Sequence, residues 1–258
     1  MTRMKHVRAL TVLAAAVVLV GCGGSTSPSR THPRSVSPAV LPPAWVQDEV
    51  AWQALAAGDP HPGACRWALT TPKHAAFVGG RATAYLRGFG GDSSANMVYV
   101  VVLQGHFTTP YDGQPPGLAN SLYLVLGADG HGGHYYLAHG FAATSPDLAR
   151  LGSLHTFTPR LPVTSGVWGH TMFAGGPFPS QWPIAGVSVE VWQGSKAFAS
   201  GPALETVRAD ANGFFALDLP PGTYTFKLTG SGHGWPTPAT VTVKSGEPVA
   251  AGVYGSGM

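Results

Sequence analysis

Residues 210–228 read DANGFFALDLPPGTYTFKL, and this stretch decides the fold of the C-terminal half. Phe215, Leu217 and Leu219 share one face of an extended chain. After Pro220-Pro221-Gly222, Tyr224, Phe226 and Leu228 do the same against Thr223, Thr225 and Lys227. A period of two, apolar against polar, marks strands that bury one face. Asp210–Gly213 and Pro220–Gly222 carry residues that fix turn dihedrals, so tight reversals join these strands.

The same pattern continues outward. Val187, Val189 and Val191 alternate with Ser188 and Glu190, and Val241 and Val243 alternate with Thr240, Thr242 and Lys244, ahead of a turn at Ser245–Pro248. A first strand at Val167–Ala174 and a last at Val249–Tyr254 bring the total to about six or seven strands in roughly 90 residues, the pattern of a β-sandwich. Trp192 falls on the Ser188 and Glu190 face by strict alternation, which predicts a contact outside the sandwich core or a bulge.

The Asp210-Ala211-Asn212-Gly213-Phe214-Phe215 turn, followed by Leu219-Pro220-Pro221-Gly222-Thr223-Tyr224, resembles the carboxypeptidase regulatory-like, or transthyretin-like, sandwich family over about Gly166–Tyr254. The resemblance implies an Ig-like sandwich that serves as spacer, stalk or ligand binder on secreted proteins, and it implies no chemistry. Cna B-type relatives form an isopeptide bond between a lysine on the first strand and a late asparagine. Val167–Ala174 holds no lysine and no asparagine follows Asn212, so that bond is not expected.

The first half reads differently. Trp45–Ala57 predicts a helix with Trp45, Val46, Val50, Trp52 and Leu55 as its apolar side, Asp48 and Glu49 on a solvated face, and Gly58-Asp59-Pro60 as its stop. Cys65–Thr70 predicts a short strand. Met97–Thr108 is apolar on both alternating faces, which suits a central strand covered by helix on one side. Ser121–Leu126 predicts another strand, with Gly127–Gly130 turning the chain into His134–Phe141, and Ser145-Pro146-Asp147 predicts the start of a short helix through Leu151. The expected fold is therefore two domains: an α+β domain at 42–162, an antiparallel sheet with one or two helices, and an all-β Ig/transthyretin-like sandwich at 163–258, divided near the prolines of Thr158–Ser165.

Upstream, residues 1–21 have the form of a signal peptide: Arg3, Lys5 and Arg8, then the apolar run Ala9–Val20, then Gly21. The run is shorter than the ~20 residues a spanning helix needs. Leu19-Val20-Gly21-Cys22 resembles the bacterial lipoprotein signal, which implies diacylglycerol on the Cys22 thiol and an acyl chain on its amino group, with no other cofactor. That places the chain on the extracytoplasmic side of a cell membrane, held by lipid, with the Ser/Pro/Gly-rich segment 22–41 as a tether.

The chain has 15 Lys+Arg against 12 Asp+Glu, and 35 Gly and 23 Pro mark frequent reversals. Three of the basic residues lie in the signal and two, Arg30 and Arg34, in the tether, so the remainder is slightly acidic. That argues against a nucleic-acid partner, which requires a basic footprint. With Cys22 lipidated, Cys65 is the one remaining thiol and is expected to be buried.

Candidate sites are few. Trp182, His233 and Trp235 fall in loop-like stretches and could contact a protein or cell-wall glycan. His131, His134 and His139, with His106 from another strand, could hold a metal, but the five-residue step from His134 to His139 points the two to opposite strand faces. No nucleophile elbow, dinucleotide fingerprint or H-E-x-x-H helix occurs, so an enzyme is not expected. The expected function is a non-enzymatic binding or presentation module, with a structural spacer and a metal-handling lipoprotein as alternatives.

Overall fold

A computed structural model describes residues 40–79, 97–107, 119–127, 138–142, 148–174, 181–195, 202–229 and 238–256. The signal-like segment, Cys22, His131, His134, His233 and Trp235 lie outside them. Pro38–Met258 forms one compact unit, and its described residues are mostly antiparallel sheet with two helices and a 3-10 turn.

The chain opens with helix α1 (Ala44–Ala56), then β1 (Cys65–Thr70), α2 (Pro72–Gly79), β2 (Val98–Phe107), β3 (Ala119–Gly127), β4 (Ala138–Ala142), a 3-10 turn at Leu148–Leu151 and β5 (His155–Phe157). The strands make one antiparallel sheet in the order β4-β3-β2-β1-β5. Helix and sheet form because each buries an apolar face on the other. Tyr99, Val101 and Leu103 of β2 and Leu122, Leu124 and Leu126 of β3 pack under Trp45, Val46, Val50 and Ala54 of α1. Val98, Val100 and Val102, with Tyr123 and Val125, face the other way against Ala75, Leu148 and Leu151. β2 is therefore covered on both faces, not on one. Tyr123 reaches across the second core to donate its hydroxyl to Ala75 O at 2.9 Å.

Next come β6 (Gly166–Ala174), β7 (Gln181–Pro183), β8 (Ser188–Gln193), β9 (Glu205–Arg208), β10 (Phe214–Leu217), β11 (Gly222–Thr229), β12 (Ala239–Val243) and β13 (Pro248–Ser256). They form two sheets: β10-β6-β13, with β7 also on β6, and β12-β11-β8-β9. β6 and β13 run parallel, and every other pair is antiparallel. The sheets enclose a core of Val167, Val189, Val191, Phe215, Leu217, Tyr224, Phe226, Leu228 and Val253, the sandwich that the alternating pattern predicts. β7 and β9 are additions to that pattern. Trp192 is buried, at 5% exposure, although it lies on the outer face of its strand.

The turn chemistry is visible atom by atom. Asp210 Oδ1 accepts from the backbone N–H of Asn212 at 2.8 Å and of Phe214 at 2.9 Å. Gly213 closes that turn at φ +82, where an added Cβ would meet Thr171 O. Past the double proline, the Tyr224 hydroxyl donates to Pro220 O at 2.9 Å, pinning the reversal to the core. Tyr224→Phe should lower stability by about 1 kcal/mol, the usual worth of one such bond, read as a lower urea midpoint with an unchanged slope.

Candidate functional site

Helix α1 is the element that positions everything else. Trp45, Val46, Val50 and Ala54 face the five-stranded sheet, while Ala51, Trp52 and Leu55 face Trp168, Met172 and Phe214 of the sandwich. So wide an apolar arc is covered from both sides, and burial extends to Glu49 and Gln53 in the gap between, so there is no solvated face at Glu49. That corrects the placement of Glu49 expected from its charge: the residue is 2% exposed and points into the seam between α1 and β6. Asp48 is half-buried beside it.

Inside the seam, Glu49 Oε2 lies 3.3 Å from His170 Nδ1, and Gln53 Nε2 donates to Glu49 Oε1 at 2.8 Å. The other imidazole nitrogen, Nε2, is 3.2 Å from Asn212 O. Phe214 stacks on the imidazole at 4.1 Å and Trp52 meets it edge-on at 5.3 Å. Burial pushes the Glu49 carboxyl up to about 7, with Gln53 opposing and the charge of Asp48 adding to it. Burial pushes His170 down to about 3, against the pull of the Asn212 carbonyl. Neither residue stands out in the sequence, because a carboxylate on a helix and a histidine in a strand give no sign of pairing across the chain.

Two depressions lie at the surface beside the loop that follows α1. A depression of about 330 Å³ is lined by Pro60, His61, Pro62, Leu161, Val163 and Pro248. It adjoins one of about 190 Å³ beside Leu55, Lys244, Glu247 and Val249, the two sharing Pro60 and Pro248. The walls are proline and aliphatic carbon with a few polar tips, which suits contact with a surface or chain more than bond chemistry.

The residues singled out from sequence are dispersed. Trp182 sits in β7, partly buried, stacked on Phe173 at 4.4 Å and packed against the core under α1. His106 is exposed at the bulged end of β2, and His139 lies in β4 opposite Leu124. β3 runs between them, so with strands ~4.8 Å apart and ~3.3 Å of rise per residue they are separated by about 10 Å across the sheet and more along it. Among the described residues no three metal-ligating side chains converge. Cys65 is fully buried, its thiol donating to Phe157 O at 3.2 Å and pushed up to about 12 by burial, so it stays a neutral thiol. No helix among the described residues is long and apolar enough to cross a membrane.

No protein-family model and no curated protein matches this chain. Among solved structures it is similar to the Bacillus anthracis TIE protein at 13% identity and a TM-score of 0.27, over 63% of this chain and 26% of that one. It is also similar to a streptococcal ancillary pilin at 11% identity and a TM-score of 0.28, over 80% of this chain and 66% of the pilin. The chain thus spans about a quarter of the length of the first and about two thirds of the second.

Proposed function

We propose that this chain is a non-enzymatic, lipid-anchored envelope protein that binds or presents a protein or cell-wall glycan. In this reading residues 42–162 are an α+β domain, residues 163–258 a carboxypeptidase regulatory-like sandwich, and Cys22 the anchor that holds both on the extracytoplasmic side. The observation that carries it is α1, buried by the five-stranded sheet on one face and by the sandwich on the other. A helix shared in this way makes a rigid body out of two layers, and the loop that follows it walls an open, proline-lined depression. Rigid presentation on a lipid tether raises effective concentration at a surface without strong contacts. The same observation also suits a structural spacer, which needs the rigidity and not the depression.

Two experiments test the reading. Cys22→Ser should move the chain from the membrane to the soluble fraction, since two or three acyl chains give the stable anchoring that one chain cannot; a variant that still fractionates with membranes removes the anchor from the proposal. Crosslinked envelopes should yield a partner to the tagged parent, and His61→Ala/Leu161→Ser or Trp182→Ala/Trp235→Ala should lose it. A partner retained by both double variants refutes the binding surfaces named here, and no partner at all favours the spacer.

A further inference from the structure

Glu49 Oε2 and His170 Nδ1 are two buried polar atoms facing each other at 3.3 Å, and neither has a hydrogen-bond partner elsewhere. The remaining polar atoms of both side chains are committed, Glu49 Oε1 to Gln53 and His170 Nε2 to the carbonyl oxygen of Asn212. A carbonyl can only accept, so Nε2 carries the hydrogen, and a neutral ring then presents a lone pair at Nδ1. A carboxylate also presents only lone pairs. The contact is therefore attractive only if one proton lies between the oxygen and the nitrogen.

We propose that the Glu49–His170 contact is a one-proton latch that fastens α1 to the β-sandwich and releases when that proton is lost. The proton rests on the carboxyl, as O–H donating to Nδ1, because His170 is buried out of water at 2% exposure, packed against Phe214 and Trp52, and burial disfavours the imidazolium. The directions agree: burial raises Glu49 and lowers His170. Of the groups that face the pair, the charge of Asp48 opposes an ionised Glu49. Asp48 on α1 is itself raised by burial and by Asp210 of the turn before β10, and the Tyr254 hydroxyl on β13 is raised by burial and by the charge of Glu49. Gln53 on α1 is the one neighbour that favours the ionised form.

Proton counting fixes the pH dependence. Free glutamate and histidine titrate at 4.5 and 6.5, and the folded groups at about 7 and about 3. Between pH 4.5 and 6.5 the unfolded chain carries one proton on the imidazole and the folded pair carries one in the latch, so stability is level. As pH rises from 6.5 towards 7 the unfolded imidazole loses its proton while the folded pair keeps one, so stability falls. Past that point the latch empties. Below pH 4.5 the unfolded chain carries two protons against one, and stability falls again until His170 is protonated.

Glu49→Gln separates this from a merely structural contact. Its amide N–H donates to Nδ1 at any pH, so the folded state needs no proton while unfolded His170 still takes one below pH 6.5. Urea midpoints of the full chain in detergent should therefore fall from pH 6 to 7.5 in the parent and rise from pH 5 to 7.5 in Glu49→Gln. Parallel profiles overturn the latch. A second measurement does not depend on the variant folding: at pH 6 the parent should show an infrared band of a protonated, buried carboxyl that fades between pH 6 and 8. Absence of that band also overturns the latch.

Discussion

Gly169→Ala should destabilise the sandwich by about 3 kcal/mol, the upper end of what one misplaced methyl costs in a packed core. Gly169 lies in β6 between Phe215 of β10 and Ala251 of β13, and a methyl built there would overlap the ring of Phe215. The ring has nowhere to go: Phe215 is 4% exposed, it belongs to the core of Val167, Leu217 and Val253, and its centroid is 5.9 Å from that of Phe226. Backbone entropy pulls the other way, since alanine inside a regular element is better than glycine by roughly 0.5–1 kcal/mol. The steric term is larger and decides the sign. The double variant Gly169→Ala/Phe215→Leu, which makes room for the methyl, should be more stable than the sum of its single variants predicts. A urea midpoint for Gly169→Ala equal to the parent's would show that the ring can move aside and that the core is looser than its burial implies.

That glycine illustrates what the sequence displays and what it hides. The sandwich strands are legible because each buries one face, and period two follows directly from that in β6, β8, β10, β11, β12 and β13. β9 is not legible, because its residues are mostly exposed and carry no alternation. β7 and β5 are three residues each, too short for any period. α2 is equally hidden: eight residues beginning on Pro72 give no sustained stripe.

The first helix shows a different failure. Its extent is plain in the sequence, and so is its stop, where Gly58 adopts φ +86. The charges of Asp48 and Glu49 predict a solvated face, and Glu49 is instead buried. Trp45, Val46, Val50, Ala51, Trp52, Ala54 and Leu55 spread over about 260° of the axis at ~100° per residue, wider than one packed stripe, and that width is the sign that both sides are covered. The pairing of Glu49 with His170 had no such sign, because it depends on how α1 is laid across β6, a long-range fact. The binding candidates fared similarly. Trp182 reads as a loop residue because prolines surround it, yet it lies in a strand and stacks on Phe173.

Asp59→Ala should cost about 2 kcal/mol, although this residue sits where a carboxylate is electrostatically unwelcome, just beyond the negative end of α1. It is there to hold backbone. Asp59 is 6% exposed, its Oδ1 accepts from the His61 N–H at 2.9 Å and its Oδ2 from the His106 N–H at 2.7 Å. The second bond crosses from the loop after α1 to the bulge between Gln104 and Phe107 in β2, where Gly105 leaves room for the carboxylate, since a Cβ there would strike Asp59 Oδ2. Alongside it, Gly63 N–H donates to Gln104 O at 2.9 Å. Truncation to alanine would strand two N–H donors, at roughly 1–3 kcal/mol each where burial is complete and about 1 kcal/mol each here, because His61 and His106 are exposed and water can reach them. Asn is the more telling substitution. It keeps the shape and one acceptor, but its Nδ2 is a donor facing a donor, so it should recover less than half of the loss. The same loop carries Pro60, His61 and Pro62, which wall the larger depression, so faster amide exchange over residues 58–63 should accompany the lower urea midpoint in both variants. If Asp59→Asn proves as stable as the parent, one of the two bonds contributes nothing, and the wall of the depression is held by Gly63 and the prolines rather than by this carboxylate.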